Sequence, residues 1–242
     1  MRGNSEGVRT MSDSSIYDNG TYLEKNPGWH EEDSTWKASQ ISKIITGNKI
    51  APSTLCEVGC GAGEILNCLS SEFANIAFSG YEISPQAFEI CRTKEKNNLK
   101  FHLKDISDHS DQTFDVVMAI DVFEHVEDYF GFLRKLRTRG IYKIFHIPLD
   151  LSVQSVLRGS PILNVRESVG HIQYFTKETA LATLKDTGYE IVDYFYTGSS
   201  LELSNHSLKS HLMKLPRGLF FKLNRDLAVR ILGGFSLMVL AK

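Results

Sequence analysis

The sequence predicts an α/β fold in which helices cover both faces of a mostly parallel sheet. From position 55 onward, short apolar segments alternate with helical segments of about 10–15 residues. One predicted strand is apolar along almost its whole length, as a strand buried on both faces should be. A glycine-rich turn joins the first strand to the first helix. Because crossovers between parallel strands are right-handed, this order predicts a doubly wound sheet.

Seven segments are predicted as strands, and together they form one sheet that is mostly parallel, with its last strand antiparallel. Each is an apolar run or an alternation of apolar and polar residues. The predicted strands are Leu55–Val58, Ile76–Ile83, Leu99–Leu103, Phe114–Ile120, Ile141–Ile147, Glu190–Tyr196 and Phe235–Leu240.

The helices are predicted from apolar spacing and from capping residues. Ser84 followed by Pro85 is typical of a helix start, and Gly188 stands where a helix commonly ends. Apart from the helix that begins at Ser84, the predicted helices are Trp36–Ile45, Gly63–Phe73, Val126–Thr138 and Thr176–Asp186.

The domain organisation is predicted to be simple. Residues 15–242 are expected to form one domain, with a helical segment at 15–50 and a helical insert at 197–233. Residues 1–14 are interpreted as a loose tail or an expression remnant. Hydrophobic residues make up 42% of the chain and charged residues 23%, which excludes global disorder.

Charge and apolar runs restrict the expected partners and location. The net charge of −2 gives no reason to expect a nucleic-acid partner. The longest nearly apolar run, Ile231–Ala241, is shorter than the roughly 18 residues of a membrane span. No secretory signal is visible. The four cysteines show no CxxC spacing, so a reduced, cytoplasmic location is expected.

The turn after the first strand carries the strongest functional signal. Its sequence is Glu57-Val58-Gly59-Cys60-Gly61-Ala62-Gly63. Glycines here let the backbone approach a ligand closely, beside the unpaired N–H groups of a helix N-terminus. In the dinucleotide fingerprint GxGxxG, the third glycine would stand at position 64, but this chain has Glu64 there.

Acidic residues follow the next two strands. Glu82 ends the second strand and Asp105 follows the third. Ligands of open α/β sheets bind at the carboxyl ends of the strands. The sequence therefore predicts a ligand site at that edge.

The E-x-G-x-G-x-G spacing resembles motif I of the class I S-adenosylmethionine-dependent methyltransferases, which have a Rossmann-like fold. The segment from Asp121 to Val126 resembles the E-x-x-E-H-V segment of small-molecule O-methyltransferases, including those that act on ubiquinone precursors, although its first residue is Asp rather than Glu. The resemblance covers roughly residues 36–196 and the final strand.

The resemblance implies methyl transfer from S-adenosylmethionine, with S-adenosylhomocysteine as product, to a small-molecule acceptor whose target atom is expected to be oxygen. It implies that Glu82 accepts hydrogen bonds from the ribose hydroxyls, while Asp105 and the N–H of Ile106 contact adenine. The implied cofactor residues are Glu57, Gly59, Gly61, Gly63, Glu82, Ile83, Asp105, Ile106 and Ile120.

Histidines near the strand ends are candidates for proton transfer. His125 is the predicted general base, His171 is a second site candidate, and His146 is interpreted as a core histidine. If the stretch from Asp121 is helical, its spacing places Asp121, Glu124 and His125 on one face. With His171, these residues form a candidate site for a divalent metal such as Mg²⁺, Mn²⁺ or Zn²⁺. A similar arrangement occurs in the methyltransferases that modify small-RNA 3′ ends.

Two other functions remain open. A nicotinamide-dependent oxidoreductase uses a similar sheet, and a non-catalytic S-adenosylmethionine-binding regulator keeps the pocket without a reaction. A monomer or a homodimer is expected. The basic insert 197–233 is interpreted as a covering helix, with a membrane-surface patch or a funnel for an anionic substrate as alternatives.

Overall fold

A seven-stranded sheet forms the centre of the protein. The computed structural model describes residues 31–106, 112–198 and 208–242, with the backbone alone at 31–32 and 208–215. The predicted tail 1–14 and the first part of the segment 15–50 lie outside these ranges. The strands are β1 (Thr54–Val58), β2 (Ala77–Glu82), β3 (Leu99–Leu103), β4 (Phe114–Ile120), β5 (Gly140–Pro148), β6 (Ile191–Thr197) and β7 (Ser236–Ala241).

The strand order is β3-β2-β1-β4-β5-β7-β6. Strands β1 to β5 pair in parallel, whereas β7 lies antiparallel between β5 and β6. The predicted fold class is therefore confirmed, including the antiparallel last strand.

Nine α-helices and two short 3₁₀ turns surround the sheet in the described residues. The 3₁₀ turns are Arg92–Lys94 and Phe123–His125. The helices are α1 (Glu31–Gly47), α2 (Glu64–Glu72), α3 (Pro85–Cys91), α4 (Tyr129–Arg137), α5 (Val153–Arg158), α6 (Ser160–Ser168), α7 (Lys177–Asp186), α8 (Leu208–Leu223) and α9 (Arg225–Leu232). None of these helices is long and apolar enough to cross a bilayer.

The side chains of β4 show why its sequence is almost wholly apolar. Val117 and Ala119 pack on one face of the sheet, in a core that includes residues of α4, α7 and α9. Val116 and Met118 pack on the other face, with residues of α1, α2 and α3. All four side chains are fully buried. A strand between two helical layers needs apolar residues on both of its faces wherever helices cover it.

The strand order of the sheet reverses between β1 and β4. The units β1-α2-β2 and β2-α3-β3 extend the sheet one way, and the chain then returns to place β4 on the other side of β1. Such a switch point opens a crevice at the carboxyl ends of the two strands. The predicted glycine turn and the segment from Asp121 both begin at this crevice.

The helices differ from the prediction at two places. Helix α4 begins after Asp128, whose carboxylate accepts a hydrogen bond from the Gly131 N–H at 2.9 Å, so Val126 is not helical. Helices α5 and α6 were not predicted from the sequence. The first of these has a capping box between Ser152 and Ser155. By contrast, the predicted starts at Ser84-Pro85 and Thr176 are confirmed.

Candidate active site

A cavity of about 370 Å³ lies at the carboxyl ends of β1 and β4. Its wall combines the glycine turn, the first turns of α1, the ends of β2, β4 and β5, and the loop after α6. The residues that line it include Asp33, Trp36, Lys37, Glu57, Gly59, Gly61, Gly63, Glu64, Glu82, Ile83, Ile120, Asp121, His146, Val169, His171 and Ser236.

The glycine turn is held in a conformation that favours glycine. Gly59, Gly61 and Gly63 have φ angles of 68°, 52° and 76°. A Cβ at Gly63 would lie 2.6 Å from the Phe101 ring. The N–H of Gly59 donates to the Tyr81 carbonyl at 2.8 Å, which ties the turn to β2. The three glycines therefore give a compact turn whose backbone lines the cavity.

Glu82 fastens this turn from the end of β2. One carboxylate oxygen accepts from the Gly61 N–H, and the other accepts from the N–H groups of Ile83 and Ser84, each at 2.8 Å. Burial raises the pKa of Glu82, and these three donors oppose the rise. A carboxylate has about four lone-pair sites, so Glu82, which lines the cavity, can accept one further hydrogen bond.

Glu57 is a second buried acid on the cavity. It is 2% exposed, and its Oε2 atom has no hydrogen-bond partner in the described structure. Burial raises the pKa of Glu57 to about 8, Lys37 opposes this rise, and Glu82 and Asp121 add to it. Glu57 is thus an uncompensated acid that a cationic ligand would stabilise in its charged form.

Asp121 does not continue a helix, contrary to the assumption behind the predicted metal set. Its φ angle is 54°, and the following 3₁₀ turn starts only at Phe123. Its carboxylate contacts Nδ1 of His146 at 2.6 Å and Nζ of Lys37 at 2.9 Å. Burial acts to raise the pKa of Asp121, but these two partners outweigh it and hold the pKa well below its ordinary value.

His146 lies on the cavity wall as well as against the core. It is 3% exposed, with Nδ1 on Asp121 and Nε2 2.8 Å from the Thr197 hydroxyl. The Lys37 ammonium also contacts Asp33 at 3.1 Å. This network fixes α1 against the end of β4. Lys37 was not predicted as a site residue, because its partner Asp121 lies far along the chain.

Three of the four predicted metal ligands do come together. The candidate ligand atoms of Glu124, His125 and His171 lie within 4.8 Å of one another. Both carboxylate oxygens of the buried Glu124 lack hydrogen-bond partners in the described structure, and burial raises the pKa of Glu124 well above its ordinary value. Asp121 is not part of this cluster because Lys37 and His146 bind its carboxylate.

The ring positions of the two histidines are fixed by other groups. Nδ1 of His125 lies 3.1 Å from the Gly170 carbonyl, and Nδ1 of His171 lies 2.7 Å from Asp150. The ring centroids are 4.9 Å apart. His171 lines the main cavity, whereas His125, the predicted general base, is not among the residues that line it.

The two residues predicted to contact adenine do not line the main cavity. Asp105 and Ile106 line a second cavity of about 210 Å³ beside α4, rather than the main one. Ile106 is 3% exposed and packs in the core on the α4 side of the sheet. Contact of these two residues with adenine therefore stays a prediction.

A family model described as a methyltransferase domain matches residues 29–194, which is more than half of the chain. The chain belongs to this methyltransferase family. The prediction of an enzyme that transfers methyl groups is thereby confirmed. No curated protein matches the sequence significantly.

Solved structures share the fold of this methyltransferase. An S-adenosylmethionine-dependent methyltransferase from Archaeoglobus fulgidus is 20% identical with a TM-score of 0.60, over 93% of this chain and 99% of that one. Magnesium protoporphyrin IX methyltransferase from Synechocystis, with bound S-adenosylhomocysteine, is 15% identical with a TM-score of 0.58, over 99% and 89%. Coclaurine N-methyltransferase, bound to N-methylheliamine and S-adenosylhomocysteine, is 17% identical with a TM-score of 0.56, over 84% and 72%.

The methyltransferase cavity therefore includes most, but not all, of the predicted site. The predicted cofactor residues on its wall are Glu57, Gly59, Gly61, Gly63, Glu82, Ile83 and Ile120. The α1 residues Asp33 and Lys37 were not predicted as site residues from the sequence. A spacing of four between Asp33 and Lys37 on one helix was the available signal, and it indicates only a local ion pair.

Proposed function

We propose that this methyltransferase moves a methyl group from S-adenosylmethionine to a hydroxyl oxygen of a small molecule. The observation that carries the proposal is an acidic cavity around a glycine turn. Five acidic residues line it against one lysine, Lys37; the acids are Asp33, Glu57, Glu64, Glu82 and Asp121. A sulfonium cofactor with an ammonium group is a cation, which such a wall favours.

The same wall argues against the alternative of a nicotinamide dinucleotide. A dinucleotide places its pyrophosphate at the N-terminus of the first helix. Here Glu64 occupies the first turn of α2, and its carboxylate is held by Lys94 at 3.0 Å and Asn67 at 3.1 Å. These contacts keep the pKa of Glu64 below its ordinary value despite partial burial, so the carboxylate stays negative and repels a phosphate.

The residues that would hold S-adenosylmethionine follow from the cavity wall. The backbone of Gly59 to Gly63 would lie along the amino-acid part and the ribose. Glu82 would accept from a ribose hydroxyl with the lone-pair site that its three N–H donors leave. Ile83 is 52% exposed and offers an apolar surface to the adenine ring.

When bound, S-adenosylmethionine supplies a methyl group on a positively charged sulfur, which is a reactive electrophile. The protein must then align the acceptor and remove its proton. His171 is on the cavity wall, and Asp150 holds its Nδ1 atom, so an imidazolium formed there would be stabilised. We assign proton removal to His171, with His125, whose ring packs edge-on against it, as a positioning residue.

Fold relatives support a small-molecule acceptor. The names of two of them specify magnesium protoporphyrin IX and coclaurine as the molecules that those proteins methylate. A hydroxyl acceptor is favoured here because the His171–Asp150 pair can take up a proton that an oxygen nucleophile must lose.

The test is transfer of labelled methyl groups from S-adenosylmethionine into a metabolite extract, followed by extraction of the labelled product. We expect transfer to an oxygen. The His171→Asn variant should lose most of the turnover, roughly 10²–10⁴-fold, while its affinity for S-adenosylmethionine stays unchanged. Binding without any turnover would favour the non-catalytic regulator, and unchanged turnover in His171→Asn would remove its assigned role.

A divalent cation at Glu124, His125 and His171 is a second candidate role for this region. The favouring observation is the buried Glu124 carboxylate without hydrogen-bond partners, beside two imidazoles that Gly170 and Asp150 hold in place. A cation there would bind the acceptor oxygen and lower its pKa.

Chelation distinguishes the two roles of His171. If the cation is required, exhaustive chelation abolishes turnover, re-addition of Mn²⁺ or Zn²⁺ restores it, and elemental analysis finds about one metal per chain. Full turnover in metal-free protein would contradict the metal and leave His171 as the base.

A further inference from the structure

Four helices expose an unusual number of large apolar side chains on one side of the fold. Helix α5 contacts α6 and α9, and α9 contacts α8. Leu157 is 82% exposed and Leu223 is 76% exposed. We call these side chains the leucine patch, which consists of Val153, Val156, Leu157, Leu163, Leu219, Leu223 and Leu227. Single exposed apolar residues are normal on a protein surface, but seven on adjoining helices indicate a binding surface.

Basic residues stand between the members of the leucine patch. Arg158, Arg166, Lys222 and Arg225 are all exposed. Residues 216–232 carry four basic residues and one acidic residue, Asp226, in a chain whose total charge is −2. Arg217 donates to the carbonyls of Leu232 and Gly233, and Arg230 pairs with Glu178. These contacts leave Lys222 and Arg225 as the exposed cations of α8 and α9 within this described range. That acid already contacts Lys177 and the Tyr196 hydroxyl. The surface therefore combines exposed apolar side chains with an excess of positive charge.

The leucine patch borders the active site. Helix α6, which carries Leu163, ends at Ser168, and the next residue, Val169, lines the cavity. On the other side, Ser236 follows α9 by a short turn and also lines the cavity. A partner on the patch would lie close to the cavity without filling it.

We propose that the leucine patch docks the protein on an anionic lipid bilayer. Apolar side chains enter the boundary between headgroups and acyl chains, and the basic residues contact anionic headgroups. A second copy of the chain fits this surface less well, because a symmetric dimer would bring the like charges of both patches together. The docking does not depend on methyl transfer.

The experiment is sedimentation of the full chain with vesicles of phosphatidylcholine alone, or with about 30% phosphatidylglycerol. We expect binding to the anionic vesicles only. A Leu157→Asp/Leu223→Asp double variant should bind about a hundredfold more weakly, since each buried leucine contributes roughly tenfold or more. A Lys222→Gln/Arg225→Gln double variant should bind about thirtyfold more weakly, the factor expected for two basic side chains at an anionic surface.

Matched controls lie outside the patch. Ile141 is 60% exposed at the amino end of β5, and Lys185 is exposed on α7. Ile141→Asp and Lys185→Gln should bind as the wild type does. Circular dichroism of every variant checks that the fold is kept.

Three results would overturn the proposal. The first is a wild-type protein that stays in solution with the anionic vesicles. The second is a folded Leu157→Asp/Leu223→Asp variant that binds them as the wild type does. The third is a dimer, seen by sedimentation equilibrium, that these two substitutions dissociate, because the patch is then an interface between copies of the chain.

Discussion

Replacing Glu57 by Gln should make the protein more stable at alkaline pH. Glu57 is 2% exposed at the end of β1, and its Oε2 atom has no partner in the described structure. Burial raises its pKa from an ordinary value of 4.5 to about 8. The folded protein therefore keeps a proton that the unfolded chain releases between these two values.

The sign of the effect follows from this difference in bound protons. Because the folded state binds more protons between about pH 4.5 and pH 8, the free energy of unfolding falls as pH rises through that window. Each pKa unit corresponds to about 1.4 kcal/mol, so the full loss above pH 8 is roughly 4–5 kcal/mol. Glutamine has nearly the same shape and no charge, so Glu57→Gln should remove this loss.

The assay is urea unfolding followed by far-UV circular dichroism at about pH 5, 6, 7 and 8.5. We expect wild type and Glu57→Gln to unfold alike near pH 5 and to diverge by several kcal/mol at the highest pH. The exposed Glu127→Gln is the matched control and should change stability by less than about 0.5 kcal/mol throughout. If wild type and Glu57→Gln show the same pH dependence, Glu57 titrates normally and the reasoning is refuted.

Three further substitutions test the cavity wall. Glu82→Ala should weaken S-adenosylmethionine binding by about 1.5–3 kcal/mol, the scale of hydrogen bonds to a charged group. Titration calorimetry at equal folded fraction measures the affinity, and an unchanged affinity would remove Glu82 from the binding site. Gly61→Val should abolish binding and lower the melting temperature, because the φ of 52° at this position is in a region that β-branched residues avoid. Wild-type affinity in this variant would mean that the turn only connects β1 to α2 and does not bind the cofactor. Lys37→Met should cost roughly 2–4 kcal/mol in urea unfolding, because it leaves the Asp121 charge without its ammonium partner, and a neutral result would contradict the network.

The sequence was sufficient to predict the sheet because its signals are local. Apolar runs and alternations placed all seven strands within a residue or two, and Ser84-Pro85 marked a helix start that the structure has. Helices α5 and α6 escaped prediction because neither buries an apolar stripe: Ser155 is the one buried residue of α5, and α6 has none. Helix α4 starts later than predicted because Asp128, not the apolar pattern, supplies its cap.

In the site, too, the residues with local signals were predicted and those that depend on distant contacts were not. The glycine turn and Glu82 are local features of β1 and β2, and the structure places them together. Lys37 was missed because it reaches Asp121 only through the packing of α1 on the sheet. Because the Asp121 carboxylate binds Lys37, it does not join the cluster of candidate metal ligands that its sequence spacing suggested. Asp105 was assigned by resemblance, and the structure places it on another cavity.

The central claim is that the acidic cavity binds S-adenosylmethionine. The most direct test is isothermal titration calorimetry of the purified chain with S-adenosylmethionine and, separately, with NAD. The control is Gly61→Val, whose side chain should block the glycine turn. We expect saturable binding of S-adenosylmethionine to one site per chain, no heat from NAD, and no binding by Gly61→Val. Binding of NAD with no response to S-adenosylmethionine would contradict the account.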